Sequence, residues 1–357
     1  MKNMKVLVVD DSALMRKYLR QMLEEAGFEV YTARDGEDAL EQIKRVDPDV
    51  VTLDINMPVM DGLTCLSYIM TEFPRPVIMV SSLTEKGAQA TFEALELGAV
   101  DYIPKPGGTV SLNIKEIKNE LISKIKAVVR TRIKDRITST SSRRKILRQE
   151  KKVVKKTKLS PSADLPGLVL IGSSTGGPGN LEEILTSLPS DYPFPVVIAQ
   201  HMPASFTKVF ARRLDGKCSL SVLHLNKTMP IQQGGIYIAK GDADIELGKK
   251  LKRLIGTSVP PSNKYLWHPS VDRMVQSALE VFDPKRTIGV LLTGMGYDGA
   301  EQMARLRNLG GKTIAESEET AAVFGMPKEL IERDGADKVL PCYKIADQLI
   351  KWAKIIV

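Results

Sequence analysis

The run Lys5-Val6-Leu7-Val8-Val9-Asp10-Asp11 sets four apolar residues directly against two carboxylates. An apolar run this short, closed by acid, reads as a buried strand of a parallel sheet. Ser12 follows at the N-cap position, and the helical spacing from Ala13 to Ala26 stops at Gly27. The cadence then repeats. Glu29–Ala33 reads as a strand, Gly36–Val46 as a helix, and Val50-Val51-Thr52-Leu53-Asp54 as another strand closing on an acid. Pro76–Val80 and Asp101–Ile103 supply two further strands, with helical stretches between. Short apolar strands alternating with helices predict an α/β fold on a doubly wound parallel sheet, whose ligands bind beyond the carboxyl ends of the strands.

That topology collects Asp10, Asp11, Asp54, Ser81 and Lys105 at one edge. Crowded carboxylates repel one another unless a cation joins them, and a hard ion such as Mg²⁺ suits carboxylate, carbonyl and water oxygens. Asp54 would then attack a phosphoryl group, with Lys105 and the Ser81 hydroxyl receiving the transferred oxygens. Taken singly, each acid has an ordinary reading as a helix cap or loop residue. Five such residues at strand ends together do not.

These residues carry a resemblance. AspAsp at 10–11, LeuAspIleAsnMetProValMetAspGly at 53–62, MetValSerSer at 79–82 and ProLysPro at 104–106 resemble the receiver domain of two-component response regulators, over about residues 4–125. The resemblance implies a flavodoxin-like fold for residues 1–125, with Asp54 as phosphoacceptor and a histidine kinase as phosphodonor. It implies Mg²⁺ held by Asp10, Asp11, Asp54 and the Asn56 carbonyl, and a switch made of Ser81, Lys105 and Tyr102.

Charge divides the rest of the chain. The formal net charge is +8, but Lys115 to Lys158 holds 17 Lys+Arg against 4 Asp+Glu, a surplus of thirteen that leaves −5 elsewhere. Ile114 to Val129 has the apolar spacing of an amphipathic helix. The stretch from Thr131 to Pro166, with ThrSerThrSerSer at 138–142, reads as a solvated tether, and residues 126–164 are assigned to a basic linker.

Residues 165–357 alternate again. GlyLeuValLeuIleGly at 167–172 and ProValValIleAla at 195–199 read as buried strands, with a helix from about Leu181 to Leu188 between them. After a helix at Ser205–Leu214 come β-rich stretches at 222–225, 235–239 and 245–247. A helix at 271–282, strands at 287–293, 312–315 and 338–340, and a closing helix at 345–355 complete a second, Rossmann-like α/β domain with a β-hairpin insert.

Gly172-Ser173-Ser174-Thr175-Gly176 is a GxSxG placed between strand and helix, the context that exposes a nucleophilic serine on a tight turn. His201 follows the second strand, and Asp298 lies in a glycine-flanked loop after another. A serine needs a base, and the base needs a carboxylate to fix its tautomer. The Met295 N–H lies in a glycine-rich loop suited to an oxyanion hole. Of the three histidines, His224 alternates within a strand and has a structural reading, while His268 is balanced between packing and a substrate loop. The rival for the serine loop is a dinucleotide-binding glycine turn, but Ser174 stands where GxGxxG needs its middle glycine.

IleGlySerSerThrGlyGlyPro (171–178), AlaGlnHisMetPro (199–203), HisProSerValAsp (268–272), LeuThrGlyMetGlyTyrAspGlyAla (292–300) and PheGlyMetPro (324–327) resemble the catalytic domain of chemotaxis protein-glutamate methylesterases. The resemblance implies Ser174 as nucleophile, His201 as general base and acid, and Asp298 as orienting carboxylate, with no cofactor in this domain. It implies phosphorylation-activated hydrolysis of glutamate γ-methyl esters on cytoplasmic chemoreceptor helices, glutamine deamidation by the same chemistry, and a resting state in which the receiver covers the triad. Two loops depart from the family pattern: AlaLysGlyAspAlaAsp (239–244) has Lys240 and lacks a histidine, and His268-Pro269-Ser270 lacks an arginine.

Composition narrows the field. Hydrophobic content of 43% and charged content of 26% are those of a globular protein. Three scattered cysteines form no CxxC pair and exclude a disulfide framework or a zinc site. No apolar run approaches 18 residues and Met1–Lys5 has no signal-peptide layout, so a cytoplasmic chain without membrane insertion is expected. The alternative to catalysis is a response regulator with a binding output, its basic linker contacting nucleic acid or membrane. No DNA-reading module is apparent, so no specific nucleic-acid partner is expected.

Overall fold

A computed structural model describes residues 4–105, 114–130, 156–157, 159–160 and 164–356. The chain divides into two compact units, Met1–Glu150 and Lys151–Val357. Residues 131–155, most of the expected linker, lie outside the described residues, as does Pro106 of the ProLysPro motif.

The first unit alternates strictly: β1 (Lys5–Val9), α1 (Ala13–Glu25), β2 (Glu29–Ala33), α2 (Gly36–Val46), β3 (Val50–Asp54), α3 (Gly62–Glu72), β4 (Val77–Ser81), α4 (Glu85–Leu97), β5 (Asp101–Pro104) and α5 (Ile114–Arg130). Its sheet is parallel throughout, in the order β2-β1-β3-β4-β5. The apolar runs form strands because helices cover both faces: every residue of β3 and β4 is buried, whereas edge strand β2 is mostly half-buried. Short polar side chains start the helices. Ser12 accepts the Met15 N–H, Asp35 the Asp38 N–H, Asp61 the Thr64 N–H and Thr84 the Gly87 N–H. α5 places Leu121, Ile125 and Val128 in one cluster with Val6, Val8, Val50, Ile78 and Ile103. It runs on to Arg130, so the boundary expected at residue 125 falls inside a helix.

The second unit contains β6 (Leu168–Ser173), α6 (Gly177–Thr186), β7 (Val196–Gln200), α7 (Ala204–Lys217), β8 (Ser221–Leu225), β9 (Met229–Pro230), β10 (Gly235–Ala239), β11 (Asp244–Lys250) and β12 (Arg253–Val259). It continues through α8 (Val271–Val281), β13 (Thr287–Leu291), α9 (Ala300–Asn308), β14 (Lys312–Glu316), α10 (Met326–Glu332), β15 (Lys338–Leu340) and α11 (Cys342–Ile356). Seven strands form a parallel sheet in the order β15-β14-β13-β6-β7-β10-β8. Of the β-rich stretches read after residue 220, the first two therefore complete the main sheet. Only the third belongs to the insert, where the β11–β12 hairpin and β9 make a small antiparallel sheet.

All three cysteines are buried, and none forms a disulfide. Burial pushes the thiols of Cys65 and Cys218 up to about 12, with neighbouring carboxylates adding to the effect.

Lys124 of α5 is the main buried cation of the first unit. Its Nζ lies 2.9 Å from Asp101, 2.9 Å from Glu120 and 2.7 Å from the Tyr102 carbonyl. Burial opposes its charge, but Asp101 and Glu120 outweigh that and hold the amine above its ordinary value. Lys124→Met leaves Asp101 buried without a counter-charge and is expected to lower the stability of this unit by about 3–5 kcal/mol in urea unfolding. Glu120→Gln removes the more exposed partner and should cost about 1 kcal/mol or less; equal effects from the two would contradict the assignment.

Candidate active site

In the first unit, β1 has β2 on one side and β3 on the other, so the chain's winding direction reverses beside it. Asp10 follows β1 and Asp54 ends β3, which puts both at the crevice such a reversal opens. They are 0% and 2% exposed, while Asp11 is exposed. Lys105 Nζ lies 2.9 Å from Asp10 Oδ2 and 2.7 Å from Asp54 Oδ2. Burial pushes the Asp54 carboxyl above its ordinary value; the Lys105 hydrogen bond and charge oppose this, and the Asp10 charge adds to it. Burial pulls the Lys105 ammonium down, yet its bonds to Asp54 and Asp10 leave it above its ordinary value.

Carboxylate oxygens of Asp10, Asp11 and Asp54 lie within 4.8 Å of one another. An all-oxygen, anionic donor set of this size fits a hard divalent cation. The structure qualifies the switch residues. The Ser81 hydroxyl is 1% exposed and donates to the Gly87 carbonyl at 3.1 Å, so it would have to turn from that bond to meet a phosphoryl oxygen. Tyr102 is 5% exposed, with Lys124 Nζ 5.3 Å from its ring centroid.

The second unit repeats the device. β6 lies between β13 and β7, so the winding reverses at β6. Ser174 follows β6, His201 follows β7 and Asp298 lies beyond β13. Ser173 is in register with Gln200, and the His201 N–H continues the ladder to the Ser173 carbonyl at 3.0 Å, so Ser174 and His201 are the next residues on adjacent parallel strands. The Ser174 N–H donates to the Thr293 carbonyl at 2.9 Å, tying the serine turn to the loop after β13. Gly176 closes this turn at φ +77°, where an added Cβ would lie 2.2 Å from Ala322 Cβ. The GxSxG glycine is thus required by both backbone angle and contact.

His201 Nε2 lies 2.8 Å from Asp298 Oδ2. Asp298 also accepts the Ser270 hydroxyl at 3.0 Å and the backbone N–H groups of Val271 at 2.7 Å and Asp272 at 3.0 Å. Burial opposes its charge, but the His201 bond and charge and these amides overcome it and hold the carboxyl below its ordinary value. Nδ1 of His201 is buried and has no hydrogen-bond partner among the described residues. The Met295 N–H has no acceptor among the described residues. His224 and His268 take other roles. His224 Nε2 lies 3.1 Å from the Thr207 hydroxyl, and His268 Nδ1 lies 2.9 Å from Asp244.

Several participants escaped sequence reasoning. Trp267 stacks on the His201 ring, with centroids 5.8 Å apart and planes 6° apart, and meets Tyr297 edge-on at 5.3 Å. Gly296 makes room for it: an added Cβ would lie 2.5 Å from the Trp267 ring. No pattern in the sequence signals that contact. The Gln200 side chain accepts the Ser173 hydroxyl at 2.6 Å and donates to the carbonyls of Ser174 and His201, clamping the two strand ends together. Ser270, which also caps α8 by accepting the Arg273 N–H, was legible as a serine before a helix.

A chain with an acidic phosphoacceptor-type edge in one α/β unit and a Ser, His, Asp edge in the next has the layout of a response regulator with an enzymatic output. Comparison with known families bears this out. The family described as CheB methylesterase matches residues 169–349, and the response regulator receiver domain matches residues 6–115. A protein-glutamate methylesterase/protein-glutamine glutaminase of Rhodospirillum rubrum is 54% identical over 98% of this chain and 96% of its own length. One of Pyrococcus horikoshii is 41% identical over 99% of this chain and 95% of its own. The Thermotoga maritima CheB methylesterase catalytic domain aligns at 41% identity and a TM-score of 0.50, covering 52% of this chain and 98% of that domain. The chain belongs to the CheB methylesterase family. No helix among the described residues is long and apolar enough to cross a membrane.

Asp272, beside Asp298, supplies a pH test. Burial and the Asp298 charge push its carboxyl up to about 6, against the Gln302 and Gly299 N–H groups. Its unfolded value is about 3.9, so the folded chain holds this proton more tightly, and ionisation weakens the fold as pH rises from about 4 to 6. Asp272→Asn keeps an acceptor for the Gln302 N–H. It should match the parent near pH 4 and exceed it by about 1–2 kcal/mol by pH 7. A difference in Tm that stays constant over that range would contradict the assignment.

Proposed function

We propose that this chain hydrolyses glutamate γ-methyl esters on the cytoplasmic helices of chemoreceptors, deamidates receptor glutamines by the same chemistry, and is activated by phosphorylation of Asp54. The observation that carries the reading is the 2.8 Å His201–Asp298 pair at the sheet edge where Ser174 ends the neighbouring strand. The family and its relatives supply the substrate class. The chain works in the cytoplasm, where receptor helices and a chemotaxis histidine kinase are accessible.

Asp298 accepts the proton on His201 Nε2, which leaves the Nδ1 lone pair as the base. Nδ1 takes the Ser174 hydroxyl proton as Oγ attacks the ester carbonyl carbon. The Met295 N–H donates to the oxygen that becomes anionic in the tetrahedral intermediate. Collapse breaks the bond to the methoxy oxygen, His201 returns its proton there, and methanol leaves an acyl-Ser174. Water, deprotonated by His201, then releases glutamate and restores the serine. With glutamine, ammonia leaves in place of methanol. Trp267, flat against His201, limits the ring's rotation and keeps water from that face.

In the receiver, Asp54 is the nucleophile toward phosphorus, and Asp10, Asp11, Asp54 and the Asn56 carbonyl are the groups to hold Mg²⁺. When bound, that ion neutralises the charge on the phosphoryl oxygens. Lys105, already between Asp10 and Asp54, moves its positive charge onto the new phosphoryl oxygens, and Ser81 turns from Gly87 to donate to one of them.

Ser174→Ala is expected to reduce methanol release from methylated receptor by about 10⁴-fold or more; activity near the parent's would refute the triad. Asp54→Asn should keep basal release and lose stimulation by a small phosphodonor. Removal of divalent cation with a chelator should abolish phosphorylation of Asp54 while leaving basal methanol release unchanged. Release that fell with the chelator in the absence of phosphodonor would place a metal in the hydrolytic chemistry instead.

A further inference from the structure

The tip of the β11–β12 hairpin reads Lys249-Lys250-Leu251-Lys252-Arg253, and the hydrolytic chemistry uses none of it. Leu251 and Lys252 both take left-handed backbone angles, φ +50° and +63°. Two-residue hairpin turns of this kind ordinarily carry Asn-Gly, because other L residues enter that region at a cost. The leucine recovers nothing by burial, since it is 89% exposed. It shares a surface depression with Pro230, Lys250, Arg253 and Ile255.

The cations around it are equally unspent. Lys249, Lys250, Lys252 and Arg253 make no ion pair with any described residue. Residues 165–357 hold 23 Lys+Arg and 20 Asp+Glu, so these four alone turn that unit from slightly acidic to basic. Like charges concentrated on one turn repel one another, and the fold gains nothing from collecting them.

Position ties the tip to the active site. β11 starts at Asp244, which accepts the Ser270 N–H at 2.9 Å, and the Ser270 hydroxyl donates to Asp298. Six strand steps from Asp244 to Lys250 span about 20 Å. The hairpin is an arm rooted beside the catalytic carboxylate and ending in an apolar side chain ringed by positive charge.

We infer that this tip docks the acidic surface of the protein substrate, with Leu251 seated on that surface and the four cations paired with its carboxylates. The inference rests on the esterase reading above. Each turnover exposes a carboxylate where an ester stood, so the substrate is a surface on which glutamates accumulate, and its charge complements the tip. Unpaired cations steer such a partner over longer distances than contact, and salt weakens them. Leu251, with only Pro230 and the half-buried Ile255 beside it, offers too little apolar area to hold a lipid surface.

Two full-length variants test the inference. Lys249→Glu, Lys250→Glu, Lys252→Glu and Arg253→Glu are combined in one, and Leu251→Ser is made alone in the other. Each is assayed for methanol release from a lipid-free, methylated cytoplasmic receptor fragment and for hydrolysis of p-nitrophenyl acetate. The charge reversal should raise the receptor KM about tenfold or more, with kcat and small-ester hydrolysis at the parent level. Leu251→Ser should raise that KM severalfold, and added salt should raise the parent's KM but not that of the charge-reversed chain. Receptor KM values equal to the parent's in both variants would overturn the proposal. So would a parent that binds phosphatidylglycerol vesicles through these residues while the variants keep normal receptor KM. A parent that hydrolyses neither substrate would refute the esterase reading itself, a result distinct from failure of the docking site.

Discussion

Asp298 meets donors from two directions. One oxygen faces His201 Nε2 and the Val271 amide; the other takes the Ser270 hydroxyl and the Asp272 amide. The carboxylate is therefore both the hydrogen-bond partner of the histidine and the anion seated at the N-terminus of α8. A helix N-terminus favours negative charge, and free amides there point at it without reorganising. Burial opposes the charge of this 3% exposed carboxylate, and the His201 bond and charge together with the α8 amides keep it ionised. The hairpin, α8 and the loop after β13 meet at Ser270, which caps α8 and is bonded to both Asp244 and Asp298.

The two units solve the same electrostatic problem in opposite ways. At the receiver edge, burial, helped by the Asp10 charge, holds Asp54 above its ordinary value against the hydrogen bond and charge of Lys105. At the hydrolytic edge, the acid is over-supplied with donors and held below it. Parallel sheets make both possible, because successive strands end at the same side and deliver side chains from distant sequence to one crevice.

Strands and caps were legible because their signals are local. Val6–Val9 and Val50–Leu53 are apolar runs that only a two-sided sheet can bury, and Ser12 stands where a helix must begin. The motif residues at strand ends were legible because the fold fixes where strand ends go. What escaped was set by tertiary contact alone. Nothing in a Trp at 267 says that it will lie flat on a histidine 66 positions earlier. The division of the β-rich stretches between main sheet and insert depends on strand order, which no local pattern encodes. The backbone angles at Leu251 and Lys252 were hidden because those residue types argue against such a turn.

The three cysteines have no part in either chemistry, yet their placement gives the molecule a property of its own. Cys65 lies in α3 of the first unit, Cys218 and Cys342 in the second, each sealed in its own interior. Burial holds the Cys65 and Cys218 thiols largely in the protonated form, and a thiol kept from solvent reacts slowly with alkylating or oxidising agents. Each becomes reactive only when the structure around it opens. The chain therefore carries native reporters of local opening, Cys65 in the receiver and Cys218 and Cys342 in the second unit.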